Sequence, residues 1–323
     1  MEYWVIATFA CALTTVGFAL RFGWASRLAL DEPNARSLHT SPTPRVGGLL
    51  TVPWALAAGL LLAGEFRETA MLAAILCGFS FIDDRAGLSA GLRLLVHLGL
   101  SAAAMVAANV GGWLLVVVSA LAVAWMINLF NFMDGADGLA GGMAVIGFGA
   151  YGVAAVAAGN GDLAQLSFCV VAAVSGFLAF NFPPARIFMG DAGSTTLGFL
   201  AGTLGVVGWL RGVWPLWFPV LVFSPFVVDA TVTLIQRALR REKVWQAHRE
   251  HSYQKLVRMG WSHRRLAFAE YALMLACVGV AFALMDATVV LVSTGLSLAA
   301  LAYALIIVTI GVKWRNFQGC SGR

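Results

Sequence analysis

Long apolar runs separated by short polar strings fill this chain from end to end. Eleven such runs fall at about 3–22, 48–64, 69–82, 92–109, 112–128, 139–158, 163–181, 194–210, 214–236, 267–285 and 288–311. A bilayer core takes about 20 apolar residues per helix. The run at 69–82 is short and is expected to extend beyond its apolar stretch at one end. The pattern predicts an all-α, polytopic integral membrane protein. It would have about 11 transmembrane helices forming one membrane domain over residues 1–323.

The polar connections alternate in character. One set carries the cations: 23–47 with Arg27, Arg36 and Arg45 (31–47 being its motif-bearing part), 83–93 with Arg85 and Arg93, 183–193 with Arg186, 237–266, and the C-terminal tail with Lys313, Arg315 and Arg323. The other set (65–68, 110–111, 159–162, 211–213, 286–287) is short and holds only Arg67 and Arg211. Cytoplasmic loops are the ones enriched in Lys and Arg. This predicts an outside N-terminus and a cytoplasmic C-terminus. Every polar, motif-like string then falls on the cytoplasmic face.

Composition agrees with the membrane reading. Charged residues make up 11% of the chain, against roughly 25% in soluble domains. The first run follows Glu2 rather than a basic segment and continues toward Arg21, so it reads as a retained helix and not a cleaved signal. The five cysteines are scattered with no C-x-x-C pair, which predicts packing residues and neither a disulfide framework nor a zinc site.

With only 16 Asp and Glu in the chain, the placement of six at the cytoplasmic ends of apolar segments is informative: Asp83, Asp84, Asp134, Asp137, Asp191 and Asp229. Carboxylates beside hydrocarbon are costly and tend to mark ion or substrate sites. Asp83-Asp84 closes an apolar helix at its negative dipole end, where a nearby cation would offset the cost; a solvated turn or an N-cap is the alternative reading. Asn128, Asn131, Asp134 and Asp137 recur every three residues, on one side of a helix if the segment stays helical. Among the glycines around them are Gly135 and Gly138, which let backbone approach a ligand closely. The plain alternative is a polar turn between helices.

Pro183-Pro184 should stop the preceding helix. Asp191 then falls near the start of the next, where backbone N–H groups favour anions. A carboxylate there could bind Mg2+ while the N–H groups meet phosphate oxygens, or it could be an ordinary cap. The 237–266 loop holds nine Lys or Arg against two Glu. Part of it (Arg237, Arg240, Arg241, Lys243) reads as a strip on anionic lipid, whereas the grouped His248, Arg249 and His251 read as donors to a pyrophosphate. Asp229 is a candidate lining residue, His97 reads as a packed, hydrogen-bonded histidine, and the aromatic stretch Trp209 to Phe218 reads as an interfacial belt.

These strings in this order, from about Asp31 to Arg265, resemble the polyprenyl-phosphate N-acetylhexosamine-1-phosphate transferases. That family has ten or eleven transmembrane helices. The resemblance implies that Asp83, Asp84 and Asp191 are catalytic and hold Mg2+, with Mn2+ as a substitute. It also implies that Asn128, Asn131, Asp134, Asp137, Asn181, His248, Arg249, His251, Arg45 and His39 bind substrate. The substrates would be a UDP-N-acetylhexosamine and undecaprenyl phosphate, in a bacterial inner membrane with the site facing the cytoplasm. No nucleic acid is expected as a partner, and a homodimer is left open. The strings RSLHTSPTPRVGG and HREHSYQ are most similar to the O-antigen-initiating branch, whose donors include UDP-FucNAc and UDP-QuiNAc. The chain departs from many members at Ser37, where they have Lys, and after His251, where it has Ser252-Tyr253.

Two other readings stay in view. The peptidoglycan translocase, which uses UDP-MurNAc-pentapeptide, is the rival within the family, and the triple-His pattern it carries is missing here. A secondary transporter would place polar groups near the midplane with internal repeats, whereas these acids cluster at one face and no repeat is evident.

Overall fold

The computed structural model describes residues 2–33, 41–62, 64–244, 246 and 248–321. It is built almost entirely of helices: α1 (Glu2–Arg21), α2 (Trp24–Leu28), α3 (Gly47–Leu62), α4 (Arg67–Ala86), α5 (Ala90–Ala107), α6 (Trp113–Met133), α7 (Leu139–Ala157), α8 (Gly161–Asn181), α9 (Asp191–Leu210), α10 (Trp217–Val222), α11 (Ser224–Leu239), α12 (Ser252–Arg258), α13 (His263–Leu284) and α14 (Val289–Ser321). Two short strands, β1 (Leu30–Asp31) and β2 (Thr43–Pro44), pair antiparallel between α2 and α3.

Eight helices among the described residues are long and apolar enough to cross a membrane, and nine if α3 and α4 together form one bent span. Each of the eleven apolar runs is mainly helical over its described residues. Taken singly, α3 is short, and α4 carries Arg67, Glu68, Asp83, Asp84 and Arg85 at its ends. The run at 214–236 is not one helix. It breaks at Phe223 into α10 and α11, with Pro225, which has no N–H to donate, opening the second piece.

Helices α7, α8 and α9 form the buried centre, while α1, α5 and α14 lie at the periphery. Lipid supplies no hydrophobic drive between helices, so close approach of small residues matters. Gly48 at the start of α3 packs directly on Gly193 at the start of α9, and a Cβ at Gly48 would collide with that backbone. Gly198 and Gly202 similarly let α9 settle on α6 near Val123 and Met126.

Two members of the aromatic stretch turn inward. Trp214 and Phe218 are buried and stack in series with Tyr151, and Trp214 Nε1 donates to the Gly205 carbonyl at 3.0 Å. The described cysteines Cys11, Cys77, Cys169 and Cys277 are free thiols.

At 1.5 Å per residue, the 33 residues of α14 measure about 50 Å, longer than a bilayer core of about 30 Å. Its C-terminal end continues to α12, where the Arg258 guanidinium lies 4.5 Å from the Trp314 ring.

Candidate active site

The polar strings converge at one end of the bundle because backbone hydrogen bonds tie them together. Helix α8 ends at Asn181, with Phe182 as its cap just before Pro183-Pro184, as the sequence predicts. The chain from there to Met189 runs against the α3 entry. Phe188 N donates to the Pro44 carbonyl at 2.7 Å, Gly47 N to Phe188 O at 2.9 Å, and Gly48 N to Met189 O at 2.7 Å. Asn181 is buried and works as a clamp: Gly138 N donates to its Oδ1 at 2.9 Å, and its Nδ2 donates to the Ile187 carbonyl at 2.9 Å. Asp137 makes a second tie, accepting from Ala185 N at 3.0 Å and meeting His263 Nδ1 at 3.0 Å.

The paired acids divide their work. Asp83 lines a cavity. Its Oδ1 accepts from Leu88 N at 2.8 Å, and its Oδ2 lies 3.4 Å from Arg93 Nη1. Asp84 turns the other way, toward the start of α9. Its Oδ2 accepts from Asp191 N at 2.9 Å and Ala192 N at 3.4 Å. This revises the expectation for that helix start: its first N–H groups meet a carboxylate of the chain, and Gly193 N and Ser194 N turn back to Gly190 O. Arg45 bridges the two acids, with Nη2 3.2 Å from Asp84 Oδ1 and in direct contact with Asp191 Oδ1. Burial works against the Arg45 charge, yet Asp191 and Asp84 outweigh it and hold the guanidinium above its ordinary pKa. Gly190, at φ +76°, supplies the turn into α9 that a side chain would strain.

A cavity of about 440 Å³ gathers Asp83, Asn128, Asn131, Asp134, Asp191, His248 and His251 on its wall. Asn131 Nδ2 donates to Ser194 Oγ at 3.3 Å, fixing α6 to α9, and Asn128 Nδ2 returns to its own helix at Ala124 O. Asp134 sits at the end of α6. Burial pushes its carboxyl well above the ordinary range against the pull of Arg45, and Asp191 and Asp84 push the same way.

The late loop, set in place by Asp229, completes the cavity wall. Ser252 N donates to Asp229 Oδ1 at 2.7 Å and Tyr253 N to Oδ2 at 3.1 Å. Asp229 is thus the anchor of α12 rather than a lining group. Tyr253 closes the wall by donating its hydroxyl to the Phe132 carbonyl at 3.0 Å. The rings of His248 and His251 are 4.8 Å apart. Burial, then neighbouring cations, lowers the His248 pKa to about 4; burial also lowers that of His251, against Asp229. Burial thus favours the uncharged form of both rings, which has one donor and one acceptor nitrogen.

Some sequence candidates lie elsewhere. Arg249 is off the cavity wall, and its carbonyl accepts from Arg258. Asp137 and Asn181 hold the frame, and His39 lies outside the described residues. The expected lipid-facing strip is also revised. Arg237 is buried and pairs with Glu242 and Glu250, which the half-exposed Arg240 also contacts, so Arg237 turns inward out of that strip. The sequence reading passed over Ser80, Arg93, Thr195 and Gln246, all on the cavity wall. It also took His97 as hydrogen-bonded, whereas His97 lines the cavity and its Nδ1 has no partner. Ala90, Arg93, Leu94 and His97 share one face of α5 by their spacing, which is the signal that could have found them.

The donor set suits a hard divalent cation. Asp83, Asp134 and Asp191 face one space with Asp84 directly behind, and Arg45 and Arg93 are the cations paired with these acids. Among the described residues no three acidic, His or Cys side chains converge on one point. An ion would therefore take one or two carboxylates and complete its shell with water and phosphate, the manner in which Mg2+ binds.

A family model described as glycosyl transferase family 4 matches residues 67–208. The chain is 32% identical over 267 residues to a protein of Bacillus subtilis (strain 168) named probable undecaprenyl-phosphate N-acetylglucosaminyl 1-phosphate transferase, covering 75% of this chain and 74% of that one. It is 29% identical to the undecaprenyl-phosphate alpha-N-acetylglucosaminyl 1-phosphate transferase of Yersinia pestis, over 78% of this chain and 76% of that one. A phospho-N-acetylmuramoyl-pentapeptide-transferase of Shouchella clausii (strain KSM-K16) is 29% identical, over 82% of this chain and 88% of that one.

Proposed function

This chain belongs to glycosyl transferase family 4, and from that membership we propose that it moves an N-acetylhexosamine-1-phosphate from a UDP-sugar to undecaprenyl phosphate, releasing UMP. The observation that carries this reading is that one cavity has Asp83, Asp134 and Asp191 and the imidazoles of His248 and His251 in its lining. Carboxylates for a cation and neutral donors for phosphate oxygens are what joining two anions requires.

An oxygen of the lipid phosphate attacks the sugar-linked phosphorus. The new P–O bond forms as the bond to the UMP oxygen breaks, so one pyrophosphate replaces another and no ATP is consumed. A phosphate monoester has its second pKa near about 6, so the nucleophile is already largely dianionic at neutral pH and needs no strong base. Asp191 and Asp83 would hold Mg2+, or Mn2+ in its place; when bound, the ion offsets the charge on the phosphates. Asp84 and Arg45 fix Asp191 in position. His248 and His251 donate to the donor pyrophosphate, and Asn128 and Asn131 line the way to it.

The apolar acceptor explains a site at the membrane surface, and the distribution of Lys and Arg supports a cytoplasmic active site in a bacterial inner membrane. The donor class is UDP-HexNAc, including UDP-GlcNAc, UDP-FucNAc and UDP-QuiNAc, for the start of a surface polysaccharide such as O-antigen.

The test is UMP release by detergent-purified protein with Mg2+ and a panel of these donors plus UDP-MurNAc-pentapeptide, with and without undecaprenyl phosphate. UMP that requires both lipid and Mg2+ with a bare HexNAc donor supports the proposal. Turnover of the pentapeptide donor alone would overturn the donor class, and no lipid-dependent UMP from any donor would overturn the reaction.

A further inference from the structure

We infer that His97 contacts substrate directly, donating from Nε2 to the phosphate of the lipid acceptor; this rests on the transferase reading above. His97 is 6% exposed, sits on the cavity wall with Asp83, Arg93 and Asp191, and has an Nδ1 that is buried without a hydrogen-bond partner. A buried N–H with no partner is rarer than an under-satisfied acceptor. The tautomer with the proton on Nε2 therefore suits this site: it leaves Nδ1 as a bare acceptor within the helix packing and makes Nε2 the ring's donor. A neutral imidazole has one donor nitrogen and one acceptor nitrogen. The ring thus brings a single hydrogen-bond donor to a cavity whose other side chains on this wall include two carboxylates, which can only accept.

The position of α5 selects the acceptor over the nucleotide donor. This helix is peripheral, and Leu92, Leu94 and Leu95 on it are exposed at 41%, 49% and 67%, as lipid-facing residues are. Leu94 is also on the cavity wall beside His97. One helix therefore offers an apolar surface continuous with the bilayer and, next to it, a donor inside the cavity. That combination fits the junction of an isoprenoid chain and its phosphate. His248, His251 and Gln246 enter the lining from the late loop, a segment other than α5, which leaves that loop to the donor.

The experiment measures initial rates of UMP release against each substrate separately for wild type, His97→Leu and His97→Gln in one detergent, with thermal unfolding of each. A hydrogen bond to a charged group contributes about 1.5–3 kcal/mol. His97→Leu should therefore raise KM for undecaprenyl phosphate by at least tenfold and leave KM for the UDP-sugar within about twofold. His97→Gln, whose amide N–H2 reaches about as far as the imidazole Nε2, should recover most of the loss. A rise in donor KM instead, equal changes in both, or no change in either variant would overturn the inference. If His97→Leu does not fold, the Gln variant decides: acceptor KM near wild type supports the contact, and loss of acceptor affinity with normal unfolding refutes it. Wild type without lipid-dependent UMP release would sink the transferase reading itself and not this assignment.

Discussion

Replacing the paired acids one at a time should separate holding a helix from reacting, because Asp83 and Asp84 face opposite ways. Asp84 is 3% exposed and accepts from two N–H groups at the start of α9 while facing Arg45. Losing an N-cap acceptor costs about 0.5–2 kcal/mol. Breaking a buried pair costs up to about 3–5 kcal/mol, but Arg45 is 36% exposed and keeps Asp191, so only part of that applies. Asp84→Ala should therefore destabilise by roughly 2–4 kcal/mol. Asp84→Asn, which retains one acceptor for the helix start, should cost about half of that. Asp83→Asn keeps an oxygen for Leu88 N, and its contact with Arg93 is a half-exposed pair at 3.4 Å, worth about 1 kcal/mol or less. The assay pairs thermal unfolding in detergent with lipid-dependent UMP release. Asp83→Asn should unfold near the wild-type temperature and lose at least a hundredfold in turnover, since one catalytic electrostatic group is commonly worth about 10²–10³. Asp84→Ala should lose both stability and turnover. Asp83→Asn lowering the melting temperature more than Asp84→Ala, or the double Asn variant retaining full activity, would refute the division.

Other perturbations reach the frame around the site. Asp229→Ala leaves two N–H groups at the start of α12 without their acceptor, so the late loop should loosen; faster tryptic cleavage at Lys255 or Arg258 and a raised donor KM would show it, and wild-type resistance would contradict it. His248 has a folded pKa of about 4, below its ordinary value of about 6.5. The unfolded chain binds the proton first, so stability is full above about pH 6.5 and falls as pH drops through 6.5 toward 4; melting temperature against pH should show a shallower fall in that window for His248→Gln. Gly48→Ala forces a methyl into the Gly193 backbone, and overpacking of this kind costs about 1–3 kcal/mol, read as a lower melting temperature. Stepwise chelation of divalent ions should abolish UMP release and be reversed by Mg2+, and activity that survives chelation would remove the metal from the mechanism.

What the sequence made legible, and what it hid, follows from the range of the interactions involved. Apolar runs mark helices locally, and the placement of Asp83, Asp134 and Asp191 at their ends already pointed to one face. The same local rules could not say which way a side chain turns. Asp83 and Asp84 are adjacent on α4, about 100° apart on a helix of 3.6 residues per turn, so one enters the cavity and the other caps α9, a partner 107 residues away. Asn181 and Asp137 look like site residues by composition, yet their partners Gly138, Ile187, Ala185 and His263 are backbone groups and a distant ring, so they build the turn that presents Asp134. Arg237 was read as lipid-facing because its neighbours in sequence are basic, and only the fold brings Glu242 and Glu250 onto it.

His97 was misread in the opposite sense. A lone histidine in an apolar run is ordinarily packed and satisfied, and nothing nearby in sequence contradicts that. What overturns it is that the buried Nδ1 has no side-chain or backbone partner and that the ring shares the cavity wall with Asp191, which belongs to α9. In this chain the residues most visible in sequence are those whose chemistry is unusual for a membrane. The less visible ones, whose role depends on which wall of the cavity they join, are the ones through which the two substrates would be told apart.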